Sequence, residues 1–317
     1  MAALLHSSSL RQSIRRGSVV VVLVANNHAT RLAVRMARAL LRPRDELQLV
    51  TVAMTPEGVV GGEALLAPHA AEPCANTVTP VVLVKGDARL ADVVRQHAAA
   101  VMADLVVVGS HNLCAAGTRG DPLPAAGSFA LRLAKSLRCC PVLVVKANSR
   151  GPFLGGASAG GLKVMLDCQS NSRHVLGWLM DQLDAQRDSI YLAVTAATAP
   201  SGALKETAAR MLTQFGVATS VNEFYTAQRV FRDPAATALP QAVEAEAIDI
   251  LALTAPECKL LPDAITDLLA ATRASVLLWR SKQQEAPRGA GAALCPLGSL
   301  SLNARRPAGE ADAGPAS

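Results

Sequence analysis

The run VVVVLVA at residues 19–25 places no polar side chain on either face of an extended strand. Successive side chains of a strand point to opposite sides, so such a run must be covered on both. At seven residues it is also far short of the roughly 20 that cross a bilayer. The arrangement that buries it is a parallel sheet between two layers of helices. Runs of the same kind recur at LQLVTVA (47–53), DLVVVGS (104–110), PVLVVK (141–146), LKVMLD (162–167), DILALTA (249–255) and ASVLLWR (274–280), with segments of helical period between several of them. No membrane span is expected. The fold class expected is α/β, with two tandem doubly wound open parallel sheets of Rossmann-like type.

Composition supports this class and sets the number of cores. The chain has 317 residues, 50% of them apolar but only 3% aromatic, so its cores are built from Val, Leu and Ala. That length suits about two domains of 100 to 200 residues. We place a leader at 1–17, a first domain at 18–147, a linker at 148–160, a second domain at 161–281 and a tail at 282–317 that we expect to be disordered. The linker region, ANSRGPFLGGASAGG, and the Ala/Gly/Pro-rich tail carry few apolar anchors. No Asp or Glu precedes Asp45, and the leader is rich in Ser and Arg. This is the bias of a chloroplast or mitochondrial transit peptide, and it leaves an organellar and a cytoplasmic location both open.

A net charge of +6 raises the question of an acidic partner. Arg31, Arg35, Arg38 and Arg42 line one face of a helical segment whose other face carries Leu32, Met36 and Leu40. Without aromatic or glycine-rich companions this row reads as a solvated outer face, ahead of nucleic acid or a lipid surface. The seven cysteines are scattered and lack a Cys-x-x-Cys pair, so they read as reduced thiols rather than as a disulfide frame or a zinc site.

In order, the first domain is read as a strand at 18–25, a helix capped by Thr30 and running to Leu41, and a strand at 46–54. Three prolines and three glycines between residues 55 and 76 allow only a short helix there. A strand at 78–85 follows, with Pro80 pushing it to a sheet edge, then a helix capped by Asp87. That helix turns Leu90, Val93, Val94 and Val101 inward together with His97, which we read as a core histidine bonded to backbone. In the second domain Ser172 caps a helix bearing Val175, Leu176, Leu179 and Leu183, strands lie at 190–196 and 217–225, and a helix lies at 203–214. The order of parts repeats that of the first domain with a period of about 140 residues.

The stretch 106–145 carries the sharpest functional signal: a strand ending in Gly109-Ser110, a glycine-bearing loop, a helix start at Gly127-Ser128, and a last strand entered through Cys140-Pro141. Such a loop sets backbone N–H groups at the positive end of a helix, which suits a phosphate. This order resembles the C-terminal half of a universal stress protein domain. The resemblance implies the strand order 3-2-1-4-5 in each domain and an adenine nucleotide, ATP or AMP, in the first. It would lie beyond the strand ends where strand order reverses, lined by Val24, Ala25, Val52, Gly86, Gly109, Asn112, Gly127 and Ser128. Ala25 stands where the family usually has Asp, Asn112 where it has Gly, and the loop is about five residues longer. In the second domain Asp167 stands at the family's Asp position, but the loop TAPECKLLPDAI has no glycine and carries Glu257 and Asp263.

Two functions follow: a universal-stress-type adenine nucleotide binder active in stress response or signalling, and a nucleotide-independent scaffold that meets an unknown protein partner. An enzyme is the weaker reading, at most a weak ATPase, because no Walker lysine, His-x-x-x-His pair or Ser-His-Asp order is present. The last strand of each domain is apolar on both faces and unprotected as an edge. We therefore expect residues 141–146 near 274–280 in an internal pseudo-dimer, as members of the family commonly pair through last strands. A homo-oligomer beyond that remains open.

Overall fold

Strand β1 (Val19–Leu23) has a neighbour on each side, β2 (Glu46–Ala53) and β4 (Leu105–Ser110), both parallel to it. Val20 and Val22 enter one core layer and Val21 and Leu23 the other, which is why the run carries no polar residue. The structure, a computed structural model, describes residues 17–110, 129–149, 161–167, 172–184, 187–195, 225–231, 235–255 and 263–280. The readings of the leader up to residue 16, of the linker at 148–160 from residue 150 on, of the helix at 203–214 and of the tail lie outside these residues.

The remaining described elements of the first half are α1 (His28–Leu40), a short 3-10 turn at Pro56–Gly58, α2 (Val59–Ala71), β3 (Thr77–Val84), α3 (Leu90–Ala100), α4 (Phe129–Ser136) and β5 (Val142–Lys146). The second half continues with β6 (Lys163–Asp167), α5 (Arg173–Gln182), β7 (Ser189–Thr195), β8 (Tyr225–Phe231), α6 (Ala235–Ala245), β9 (Ile250–Ala255), α7 (Asp263–Ala271) and β10 (Ser275–Arg280). The strands form one ten-stranded sheet in the order β3-β2-β1-β4-β5-β10-β9-β6-β7-β8. Each half thus runs 3-2-1-4-5, with its fifth strand at the centre of the whole sheet. Every neighbouring pair is parallel except β5 and β10, which are antiparallel with Val144 opposite Val276 and Leu143 opposite Leu277.

Two apolar layers follow from this alternation. One holds α1 and α5 against Val20, Val107, Leu143, Leu166 and Leu277, and the other holds α3, α4, α6 and α7 against Val21, Val108, Val144, Leu251 and Val276. Each layer runs unbroken across the β5–β10 seam. The seam is also tied by polar contacts. The buried Lys146 ammonium donates to the carbonyl of Thr272 and, at 3.0 Å, to its hydroxyl, at the C-terminal end of α7 where a cation is favoured. Ser275 Oγ lies 3.3 Å from Ser149 Oγ.

At the N-terminal ends of their own strands both halves use the same device. Asp45 accepts from the N–H groups of Ser18 and Arg42 at 2.8 Å, as Asp188 does from Leu162 and Asp184. Asp104 accepts from Val19 N at 2.9 Å and Asp249 from Lys163 N at 2.9 Å. These four carboxylates satisfy the backbone donors that open β1 and β6, a job that periodicity does not announce.

Several local readings are corrected. Asn27, not Thr30, caps α1. Its side chain accepts from Thr30 N at 2.9 Å, while the buried Thr30 hydroxyl accepts from Ala25 N at 3.1 Å. Asp87 sits in a turn and α3 starts at Leu90 after Arg89, with no side-chain cap. His97 bonds the Gln48 side chain at 3.0 Å rather than backbone, because β2 brings an amide opposite it. The helix expected to be short is α2, thirteen residues with Pro68 inside. Packing outweighs propensity there: a Cβ on Gly62 would lie 2.8 Å from Val82 and 3.0 Å from Thr51, so the helix lies flat on β2 and β3. A described strand of the second half runs Tyr225–Phe231, with Tyr225 paired to Ser189, and the strand read at 217–225 lies outside the described residues except for Tyr225. Ser172 precedes α5 but makes no cap bond. Its hydroxyl donates to Asp167 O at 2.9 Å and lies 3.2 Å from Thr254 Oγ1.

Candidate functional site

In an open parallel sheet, neighbouring strands whose following helices leave to opposite faces open a crevice beyond their C-terminal ends. β1 and β4 are such a pair in this chain: α1 covers one face and α4 the other. The crevice above them has a volume of about 330 Å³. Val24, Ala25, Val52 and Gly109, four of the residues read from the sequence, line it together. Gly86 does not line it. It forms the exposed turn after β3, where its φ of +52° suits glycine. Asn112, Gly127 and Ser128 lie outside the described residues.

Gly109 is needed for a reason other than ligand approach. A Cβ there would lie 2.7 Å from the carbonyl carbon of Ala29 and 2.8 Å from Thr30 N, so the first turn of α1 rests on the end of β4. Thr51, Leu65 and Phe129 also line the crevice and were not singled out from the sequence. Thr51 is the one polar residue in the C-terminal half of β2, and Phe129 is one of only five phenylalanines in the chain, which are the signals that would have found them.

The crevice is apolar in character. Among its described lining residues none is ionisable, and the polar ones are Asn26, Thr30 and Thr51. Ala25 is exposed at its mouth, and its backbone is held by Thr30 Oγ1 on one side and by Asn27 N, at 2.8 Å, on the other. The lining thus offers shape and a few hydroxyl and amide groups, with no described acid or base to move a proton. Its volume lies at the lower end of small-molecule sites and suits a group of base or nucleoside size. His97, half-buried, lies further down α3 on Gln48, and burial holds its pKa below the ordinary value.

The corresponding strand end in the second half is built differently. Asp167 closes β6 as Leu23 closes β1, whereas Ala25 lies two residues beyond its strand. Asp167 is 6% exposed, and Ser172 ties its carbonyl to the start of α5. Asp167 is therefore buried at the end of its strand, whereas Ala25 is exposed.

By sequence, no family model and no curated protein matches the chain. By structure it is similar to a universal stress protein from Archaeoglobus fulgidus, with TM-score 0.62 over 84% of this chain and 99% of that one at 9% identity. It is similar as well to a protein from Pseudomonas aeruginosa described as a universal stress protein, with TM-score 0.53, 12% identity and coverage of 83% and 92%. A third likeness is to a P. aeruginosa protein of unknown function, with TM-score 0.52, 13% identity and the same coverage. The chain has the universal stress protein fold, and the likenesses extend over both halves of the sheet. Among the described residues no helix is long and apolar enough to cross a membrane.

Proposed function

We propose that the protein is a universal-stress-type binding protein whose first half takes an adenine nucleotide, ATP or AMP, and which acts in stress response or signalling rather than as a catalyst. The observation that carries this reading is the crevice itself, at the switch point between β1 and β4, lined by Val24, Ala25, Val52 and Gly109 and without an ionisable side chain among its described residues. An apolar slot of this size suits the base and ribose. The Gly127-Ser128 helix start would meet the phosphates. We read the two halves as tandem units joined at β5 and β10 into an internal pseudo-dimer, so that the chain need not oligomerise further.

The scaffold reading, in which the fold acts only through its surfaces, draws on one observation. The residue at the crevice mouth is Ala25, with no carboxylate there to grip a ribose. Extracting small molecules from purified full-length protein and titrating it with ATP and AMP separates the two. Bound or titratable adenine nucleotide supports the first. Gly127→Asp should then abolish ATP binding by putting a carboxylate at the phosphate end, and Asp167→Asn should leave it unchanged. Protein that carries no nucleotide and shows no heat with either would leave the scaffold.

A further inference from the structure

A groove of about 410 Å³ lies between α1 and α2 and shares Ala25, Asn26 and Leu65 with the crevice. Arg31 and Arg35, one turn apart on α1, line one wall, and His69 and Glu72 from α2 line the other. The single carboxylate in that lining is already engaged. Glu72 Oε2 lies 2.5 Å from Arg38 Nη1, and Arg38 also donates to the carbonyl of His69 at 2.6 Å. Among the described residues no carboxylate pairs with Arg31 or Arg35, although both are exposed and in reach of one groove. The row of arginines therefore divides. Arg38 is structural, a clamp between α1 and the end of α2, while Arg31 and Arg35 leave two unneutralised guanidinium groups beside a half-enclosed volume.

We propose that this groove is an anion-binding subsite for a phosphate group, gripped by Arg31 and Arg35, on a small molecule whose uncharged part reaches the crevice past Ala25 and Asn26. Guanidinium groups suit a phosphate because their planar donors can bond two of its oxygens at once. His69 supplies a reporter. Burial, opposed by Glu72 and reinforced by the charges of Arg38 and Arg31, holds its imidazole pKa below the ordinary value, and an anion bound beside it would pull that pKa up. The site is built from α1, the residues just before it and α2, and does not depend on a nucleotide occupying the crevice.

The probe is inorganic pyrophosphate, titrated into full-length protein by calorimetry, with the His69 ring protons followed by NMR. Pyrophosphate should bind, raise the His69 pKa, and weaken as salt rises. Arg31→Ala/Arg35→Ala should lower the affinity at least tenfold, about 1.4 kcal/mol, with circular dichroism and Tm unchanged because both side chains are exposed and unpaired. Pyrophosphate that leaves His69 unmoved, or binds the double variant as tightly as the parent, would overturn the proposal. Adenosine, which has no phosphate, should respond identically to parent and double variant. Adenosine binding lost on substitution would mean the arginines support the crevice rather than the anion, and would equally overturn it.

Discussion

Single residues decide how tightly the helices approach the strand ends. Gly109 is the clearest, because the atoms a Cβ would strike belong to the backbone of Ala29 and Thr30 and cannot turn aside. Gly109→Ala should therefore destabilise the protein by about 1–3 kcal/mol through overpacking, seen as a lower midpoint in urea with an unchanged slope. His97 sets part of the response to acid. Its folded pKa is pushed below 6.5 by burial, so the unfolded chain takes up the proton first as pH falls. Stability from this group is full above the unfolded value and declines below it until the folded pKa is reached. Unfolding midpoints of the parent should fall between pH 7.5 and 5.5. His97→Gln should fall less, since it keeps a polar partner for Gln48 and no longer titrates. Equal declines in both proteins would place the acid sensitivity elsewhere, with His69 the next group of the same sign.

At the scale of elements, α2 shows what periodicity leaves out. Pro68 removes one N–H from its interior, and two glycines sit in its first turns, yet the helix runs from Val59 to Ala71. Contact with β2 and β3 compensates for the missing bond. Pro68→Ala should restore that bond and raise Tm, with a gain bounded by the roughly 3 kcal/mol that an interior proline costs. Far-UV ellipticity at 222 nm should deepen slightly. A fall in Tm would show that the proline ring itself packs against its surroundings. The caps teach a related lesson. Asn27, Ser172 and Arg89 each precede a helix, but only Asn27 makes a cap bond, because Ser172 is turned to the ends of β6 and β9 instead.

The whole molecule is held by the antiparallel seam of β5 and β10. Val142 and Val144 enter one layer and Leu143 and Val145 the other, each meeting residues from β10. Both core layers cross the seam, so neither half presents an apolar edge there. The two tryptophans, Trp178 and Trp279, lie with ring centroids 6.1 Å apart, Trp178 in a cavity that Ser18, Ala39 and Leu41 of the first half also line and Trp279 on the seam strand β10, so their fluorescence reports on the junction of the halves. If the layers form one cooperative unit, unfolding followed by tryptophan fluorescence and by far-UV circular dichroism should coincide in midpoint and slope. Fluorescence that changes well before or after the dichroism would show the halves melting separately.

Period and composition alone determined the sheet. Runs such as VVVVLVA and PVLVVK require cover on both faces, and that requirement predicts an open parallel sheet with helices on each side, while the order 3-2-1-4-5 in each half was implied by the resemblance to universal stress proteins. Four lining residues of the crevice were legible for the same reason, since they stand at strand ends that the pattern locates. Tertiary structure decided what depends on neighbours distant in sequence. The lack of a Cβ at Gly109 matters only because α1 returns to β4, and Asp45, Asp104, Asp188 and Asp249 gain their role only when β1 and β6 present their opening N–H groups. The arginine row looked uniform along its helix. It became one clamp and two unneutralised charges only when α2 brought Glu72 within reach of Arg38 and left Arg31 and Arg35 beside a groove, since an ion pair is set by distance in space and not by spacing along the chain.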